Sequence, residues 1–181
     1  MTNLSNHFLI AMPSVNSAMF GASVIYLTDH STINGAVGVI INKPLGKVVS
    51  DTFEDIKFAN YNPTWMDSML YLGGTSKTDD GFILHRSIGT PQQKFELTND
   101  KYIVSELAKY KSKEDVFIAM GYSSWASCQL EVELRANVWL VLKGDDRLIF
   151  DIDPVNRYDE AMRMLGVSNI GKLYCSNTII A

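Results

Sequence analysis

The sequence predicts a single α+β, or mixed α/β, domain in which hairpin strands are interspersed with helices. Three observations predict it. The N-terminal half carries short, β-branched, nearly continuous apolar runs. Helical periodicities interrupt the later strands without alternating strictly with them, which argues against a doubly wound parallel sheet. Finally, 181 residues with 46% hydrophobic and 20% charged side chains suit one folded unit, residues 1–181, with no linker to divide it.

Residues 8–12 are a short apolar run closed by Pro13. Residues 23–28 and 36–41 are apolar at almost every position, the pattern of strands buried on both faces. Asn34-Gly35 between them tolerates positive φ, so the two strands are expected to form an antiparallel hairpin across 29–35. Residues 51–59 read as a short helix, with Asp51 and Glu54 spaced as a capping box. Met69–Leu72 and 81–85 read as strands joined in a second hairpin through Asp79-Asp80-Gly81.

A helix is expected over Lys101–Tyr110, capped by Thr98 or Asn99, with Ile103, Leu107 and Tyr110 on one side. Residues 116–121 form a buried strand. In 129–138 the alternation of Leu130, Val132, Leu134, Ala136 and Val138 favours a strand. The helix-forming composition and the Leu130–Leu134 spacing favour a helix, which is the reading adopted here, with a strand over 139–142 after it. Residues 148–150 read as another strand. The last helix has Asp153 as N-cap and Pro154 in its first turn. Its apolar face is Tyr158, Ala161, Met162 and Leu165, and Gly166 is its left-handed cap.

Charge and cysteine usage remove several function classes. The net charge is −4 and no three basic residues are consecutive. The densest basic stretch, Lys109-Tyr110-Lys111-Ser112-Lys113, fits a solvated helix end. With no helix-turn-helix pattern either, direct DNA binding is not expected. Cys128 and Cys175 form no CxxC and have no neighbouring His, so neither a metal site nor any cofactor is expected. Their usage suits a reducing cytoplasm. No apolar stretch approaches the roughly 20 residues of a membrane helix, and the run ending at Pro13 is too short for an export signal.

Candidate binding residues sit in polar or glycine-rich turns that follow apolar strands. They are Asn42 and Lys43 before Pro44, Gly73 and Gly74, His85, and Tyr122, Trp125 and Gln129. Each has a plain structural alternative: a strand end before proline, a tight turn, a satisfied core histidine. Gly73-Gly74 could offer successive N–H groups to an anion, but no Lys-Ser/Thr follows as in a P-loop. Gly121-Tyr122-Ser123-Ser124-Trp125 lacks the second glycine of a nucleophile elbow, so Ser124 is expected to cap the next helix. Glu131 and Glu133 read as surface charges on an amphipathic element, and Cys128 falls in that helix's first turn. His30, in the hairpin, and His7, near the terminus, are weaker titrating candidates than His85.

The chain resembles the AlgH/YqgE family. The matching stretches are His7-Phe8-Leu9-Ile10-Ala11-Met12-Pro13, Gly35-Ala36-Val37-Gly38-Val39-Ile40-Ile41-Asn42-Lys43-Pro44, Leu72-Gly73-Gly74 and Gly81-Phe82-Ile83-Leu84-His85. They continue with Gly121-Tyr122-Ser123-Ser124-Trp125, Gln129-Leu130-Glu131-Val132-Glu133-Leu134 and Asn137-Val138-Trp139-Leu140. The resemblance implies a largely antiparallel split sheet curled into a pseudo-barrel with flanking helices. It also implies a cytoplasmic bacterial protein linked to transcriptional regulation, with no agreed catalytic residues. This chain departs from the pattern at Thr75, where the family has proline, and at Ser124 and Cys128, where it has glycine.

Three functions compete at this level. The first is a non-catalytic regulatory module that binds a small anionic ligand or a protein segment. The second is an enzyme acting on a phosphate- or carboxylate-bearing metabolite, with His85 as base and Lys43 as electrostatic partner. A DNA binder is the third.

Overall fold

The computed structural model describes residues 3–52, 65–87 and 94–167. Strand β1 (His7–Ala11) lies between β2 (Val24–Ser31) and β9 (Trp139–Lys143), antiparallel to both. Strand β3 (Gly35–Ile40) returns from β2 in the expected hairpin, with Gly35 at φ 88°. Beyond it come β8 (Val116–Trp125), β5 (Met69–Leu72) and β4 (Pro44–Val48). Strand β6 (Ser76–Arg86) pairs with β8 and with β7 (Phe95–Thr98). The pairs are antiparallel except β5 with β8, and the sheet curls as a half-barrel.

Alternation along β1 divides the core. Phe8 and Ile10 join Tyr26, Phe117, Leu148 and Met162 on one face. Leu9 and Ala11 join Ile25, Leu27, Trp125 and Trp139 on the other. A third cluster packs α2 (Lys101–Tyr110) through Val104 and Leu107 against Trp65, Ile83 and Ile118.

The structure corrects several expectations. Strands β5 and β6 form no hairpin, because β8 runs between them. Asp79-Asp80-Gly81 instead lies within β6, where the register with β8 shifts between Ser76 and Gly81. Strand β8 does not stop at Gly121. It continues to Trp125 by exchanging partners, from β6 and β5 to β3. Ser124 is therefore a strand residue, its Oγ 2.8 Å from Ser76 Oγ, and not a helix cap.

Helix α2 is capped by Asp100, whose Oδ1 accepts the Tyr102 and Ile103 N–H groups at 2.9 and 3.1 Å. Its buried face is Val104, Leu107 and Ala108, and Tyr110 is exposed. The segment around Leu148 is a helical turn, α4 (Arg147–Phe150), not a strand. Asp145 and Asp146 close its backbone bonds locally, and the adjacent Leu148 and Ile149 are both buried, as a strand with one solvated face would not allow.

Helix α3 (Gln129–Arg135) and helix α5 (Arg157–Met164) form as expected. A 3-10 turn under the Asp153 cap precedes α5, and Gly166 has φ 79°. Of the helix expected over 51–59, one turn, α1 (Val49–Thr52), is described. Its remainder and Cys175 lie outside the described residues.

Candidate functional site

The β1–β2 connection, residues 12–23, gathers several of the candidate side chains around it. Asn42 follows β3 by two residues and bonds to this loop and to the start of β2. Its Oδ1 accepts the Val24 N–H and its Nδ2 donates to Ala22 O, both at 2.8 Å. Lys43 donates from Nζ to Ala18 O at 3.2 Å. Partial burial holds its ammonium below the usual lysine pKa. Among the described residues no carboxylate oxygen lies within 4.0 Å of it.

On its other side the loop meets the tryptophans. Phe20 sits edge-on to Trp139 at 6.0 Å, and Trp139 edge-on to Trp125 at 6.2 Å. An indole N–H can only donate, and both of these reach one oxygen. Glu133 Oε2 accepts from Trp125 at 2.8 Å and from Trp139 at 2.7 Å. Glu133 Oε1 accepts from Gln129 Nε2 at 2.9 Å, while Gln129 Oε1 caps the Ala126 N–H at 3.0 Å. Glu133 is thus the acceptor that fastens α3 to β8 and β9, not a solvated charge.

Glu131 is likewise internal, 5% exposed, and pairs with His30, 3% exposed, at 3.0 Å. The Leu4 N–H donates to His30 Nδ1 at 3.1 Å, so Nδ1 carries the lone pair and Nε2–H donates to Glu131. Cys128 precedes α3 with φ 60°, the left-handed region where the resembling family has glycine. Its thiol is exposed and rests on Thr32 O at 3.4 Å.

Between the loop and α5 lies a cleft of about 560 Å3, lined by Pro13, Ser14, Asn16, Ser17, Ala22 and Tyr158. The Tyr158 hydroxyl donates to Ala11 O at 2.8 Å and so holds one wall.

The other candidates are placed differently. A Cβ on Gly73 would lie 2.1 Å from Gly121 O, and one on Gly74 2.2 Å from the Tyr122 carbonyl. The Gly73 N–H, expected as part of an anion nest, donates to Met120 O at 2.8 Å. These glycines let the β5–β6 connection cross β8. Tyr122 packs edge-on to Phe82 at 5.2 Å.

His85 is 0% exposed; its Nδ1–H donates to Arg86 O at 3.0 Å and its Nε2 has no partner among the described residues. It stands opposite Val116, whereas Lys43 joins the sheet at the level of Met120, through Leu72. Four strand positions separate those levels by about 13 Å, so the proposed His85–Lys43 pair is not assembled.

The sequence reading missed His30, Glu131 and Glu133. A signal for the last was available. Two tryptophans in apolar settings need acceptors, and Glu133 is placed between them in the chain.

Comparison with known proteins places this arrangement in context. A family model described as AlgH-like matches residues 8–169. A UPF0301 protein of Chromobacterium violaceum is 35% identical over 170 residues, covering 91% of each chain. One from Variovorax paradoxus is 36% identical over 180 residues, covering 91% of this chain and 90% of the relative. The solution structure of the AlgH protein from Pseudomonas aeruginosa superposes with TM-score 0.74 at 32% identity, covering 99% of this chain and 96% of that one. A crystal structure from Corynebacterium diphtheriae, at 18% identity and TM-score 0.69, covers 90% and 87% and shares the fold. Among the described residues no helix is long and apolar enough to cross a membrane.

Proposed function

Because the chain belongs to the AlgH-like family, we propose that it is a non-catalytic regulatory module of the bacterial cytoplasm. Its ligand is a small anion, or the acidic part of a protein segment, bound in the cleft beneath the β1–β2 loop. The observation that carries this reading is the loop's mounting. Asn42 and Lys43 anchor one side and Phe20 the other, and a cleft lined by hydroxyls and an amide lies alongside. Lys43, with no carboxylate close by among the described residues, supplies the positive field. The side chains with acid–base chemistry are engaged elsewhere: Glu131 with His30, Glu133 with two indoles, and His85 in the core. That distribution favours binding over the alternative of an enzyme acting on a phosphate- or carboxylate-bearing metabolite. Any link to transcription then runs through the ligand or a protein, not through direct DNA contact.

The test is a thermal-shift screen against nucleotides and small carboxylates, since a ligand specific for the native state raises the melting temperature. Hits are expected to lose at least half of their shift in Lys43→Gln and to perturb NMR signals of residues 13–22. Hits indifferent to Lys43→Gln, or none at all, would overturn the reading.

A further inference from the structure

Arg157 opens α5 and is 4% exposed. A guanidinium remains charged in a protein, so burying one calls for a compensating anion or a dense set of acceptors. Its Nε donates to Ile152 O at 2.9 Å, and Nη1 donates to Ile41 O. Its Cζ lies 5.4 Å from the Tyr71 ring centre and 5.8 Å from that of Phe117. These contacts, with a side-chain hydrogen bond to the Tyr71 hydroxyl, solvate the cation without neutralising it. Among the described residues no carboxylate oxygen lies within 4.0 Å, and Asp153 acts on it from farther away.

Arg157 borders a cleft of about 300 Å3 that is separate from the one beneath the β1–β2 loop. Ser68 lines the same cleft, and its Oγ is buried with no hydrogen-bond partner among the described residues. A buried hydroxyl without a partner is uncommon and calls for an explanation. Among the described residues, a cation with no carboxylate within 4.0 Å and a hydroxyl with no hydrogen-bond partner share one recess. Part of its wall is hydrocarbon, from Phe117, Ile149 and Phe150. Asp67, Glu114 and Lys113 also line it, so beside Arg157 the recess carries two carboxylates and one further cation, and a second negative charge on the occupant would meet the carboxylates rather than an unmatched cation.

We propose that this cleft binds a monoanionic carboxylate carried on an aromatic or branched apolar body. The carboxylate accepts from guanidinium N–H groups not used by Ile41, Ile152 and Tyr71, and from the Ser68 hydroxyl. The apolar body lies against Phe117 and Phe150. Charge-assisted bonds to a planar guanidinium give the orientation, and the hydrocarbon wall gives the area.

The experiment is an NMR titration of the whole protein with benzoate, and with benzamide as the uncharged isostere. Benzoate is expected to give saturable shifts at the Ser68, Met69, Phe117 and Phe150 amides and at Arg157 Nε–H. Benzamide is expected to bind at least about tenfold more weakly, the factor a charge-assisted bond supplies. Ser68→Ala removes a hydroxyl that has no hydrogen-bond partner among the described residues, so the fold should persist while benzoate affinity falls roughly threefold to tenfold. Arg157→Lys, if folded, should lose more. Absence of saturable shifts, equal binding of benzamide, unchanged affinity in Ser68→Ala, or shifts confined to residues 13–22 would each overturn the proposal.

Discussion

Glu133 accepts three side-chain hydrogen bonds, two of them from buried indoles on one oxygen. Glu133→Ala leaves both indole donors unpaired and is expected to cost about 2–5 kcal/mol, since each orphaned buried donor loses its full solvation. Glu133→Gln keeps a carbonyl acceptor and is expected to cost less than half as much. Urea denaturation of the two variants checks the order; equal losses would mean that packing, not hydrogen bonding, holds the tryptophans. The His30–Glu131 pair obeys a different rule. His30→Ala strands a buried carboxylate, and a loss of about 3–5 kcal/mol is expected from breaking such a pair one-sidedly. Replacing both by leucine should recover part of that loss, because no charge is then left buried. Full additivity of the two single changes, measured in a double-mutant cycle, would refute the coupling. His30 was within reach of sequence reasoning. Thr28 and His30 are buried while Asp29 between them is exposed, a strand alternation running up to the Asn34-Gly35 turn. Placing His30 in the loop shortened the strand and hid the pair.

Strand β8 shows why some elements were legible and their pairing was not. Local pattern marks β1, β2, β3 and the last helix, because their apolar periods and caps are short-range signals. The partner of β5 is set by a crossing that no local period encodes. The chain leaves β5, passes the β8 backbone at Gly73 and Gly74, and comes back on its opposite edge as β6. Asp79-Asp80-Gly81 resembles a hairpin turn, yet the actual reversal lies earlier, where glycine permits contact between two backbones. Gly73→Ala tests this account. Its Cβ would have to displace backbone atoms of Gly121, and a loss of about 3 kcal/mol or more is expected, with Gly46→Ala as a control of positive φ without crowding. The control should lose only about 1–2 kcal/mol. Similar losses would remove the crossing as the reason for the glycine. The candidate site was legible in the same partial way. Asn42 and Lys43 bond to the β1–β2 loop and Trp125 reaches it through Trp139 and Phe20, whereas Gln129 bonds at the start of α3 and His85 lies in the core. Its neighbour Arg86 lies on the opposite face, over Phe95 at 5.2 Å, so adjacency in sequence placed the two apart.

Tyr26 ties several distant segments of the curled sheet together. Its ring packs edge-on against Phe8 at 5.2 Å and Phe95 at 5.5 Å, and its hydroxyl donates to Asn6 Oδ1 at 3.0 Å. Burial first, and the Asp146 carboxylate second, push its phenol above the ordinary tyrosine range. Tyr71 is shifted the same way by burial, with Arg157 opposing. A raised folded pKa stabilises the fold fully while both states keep the proton, below the unfolded value near roughly 10. Above it the unfolded chain releases its proton first, so stability falls as pH rises, by up to about 1.4 kcal/mol per pH unit for each such phenol. Lys43 works in the other direction. Its lowered folded pKa means that the unfolded chain holds more protons just below roughly 10.4, so stability rises with pH there. The balance predicts a shallow gain up to about pH 10 and a steep loss beyond it. Tyr26→Phe should lose about 1 kcal/mol at pH 7 from the missing hydrogen bond, yet show a visibly flatter alkaline limb, with Tyr71 supplying what slope is left. Urea unfolding of both proteins from pH 8 to about 11.5 measures the slopes directly. If the two limbs run parallel, Tyr26 is not the group whose ionisation opens the sheet.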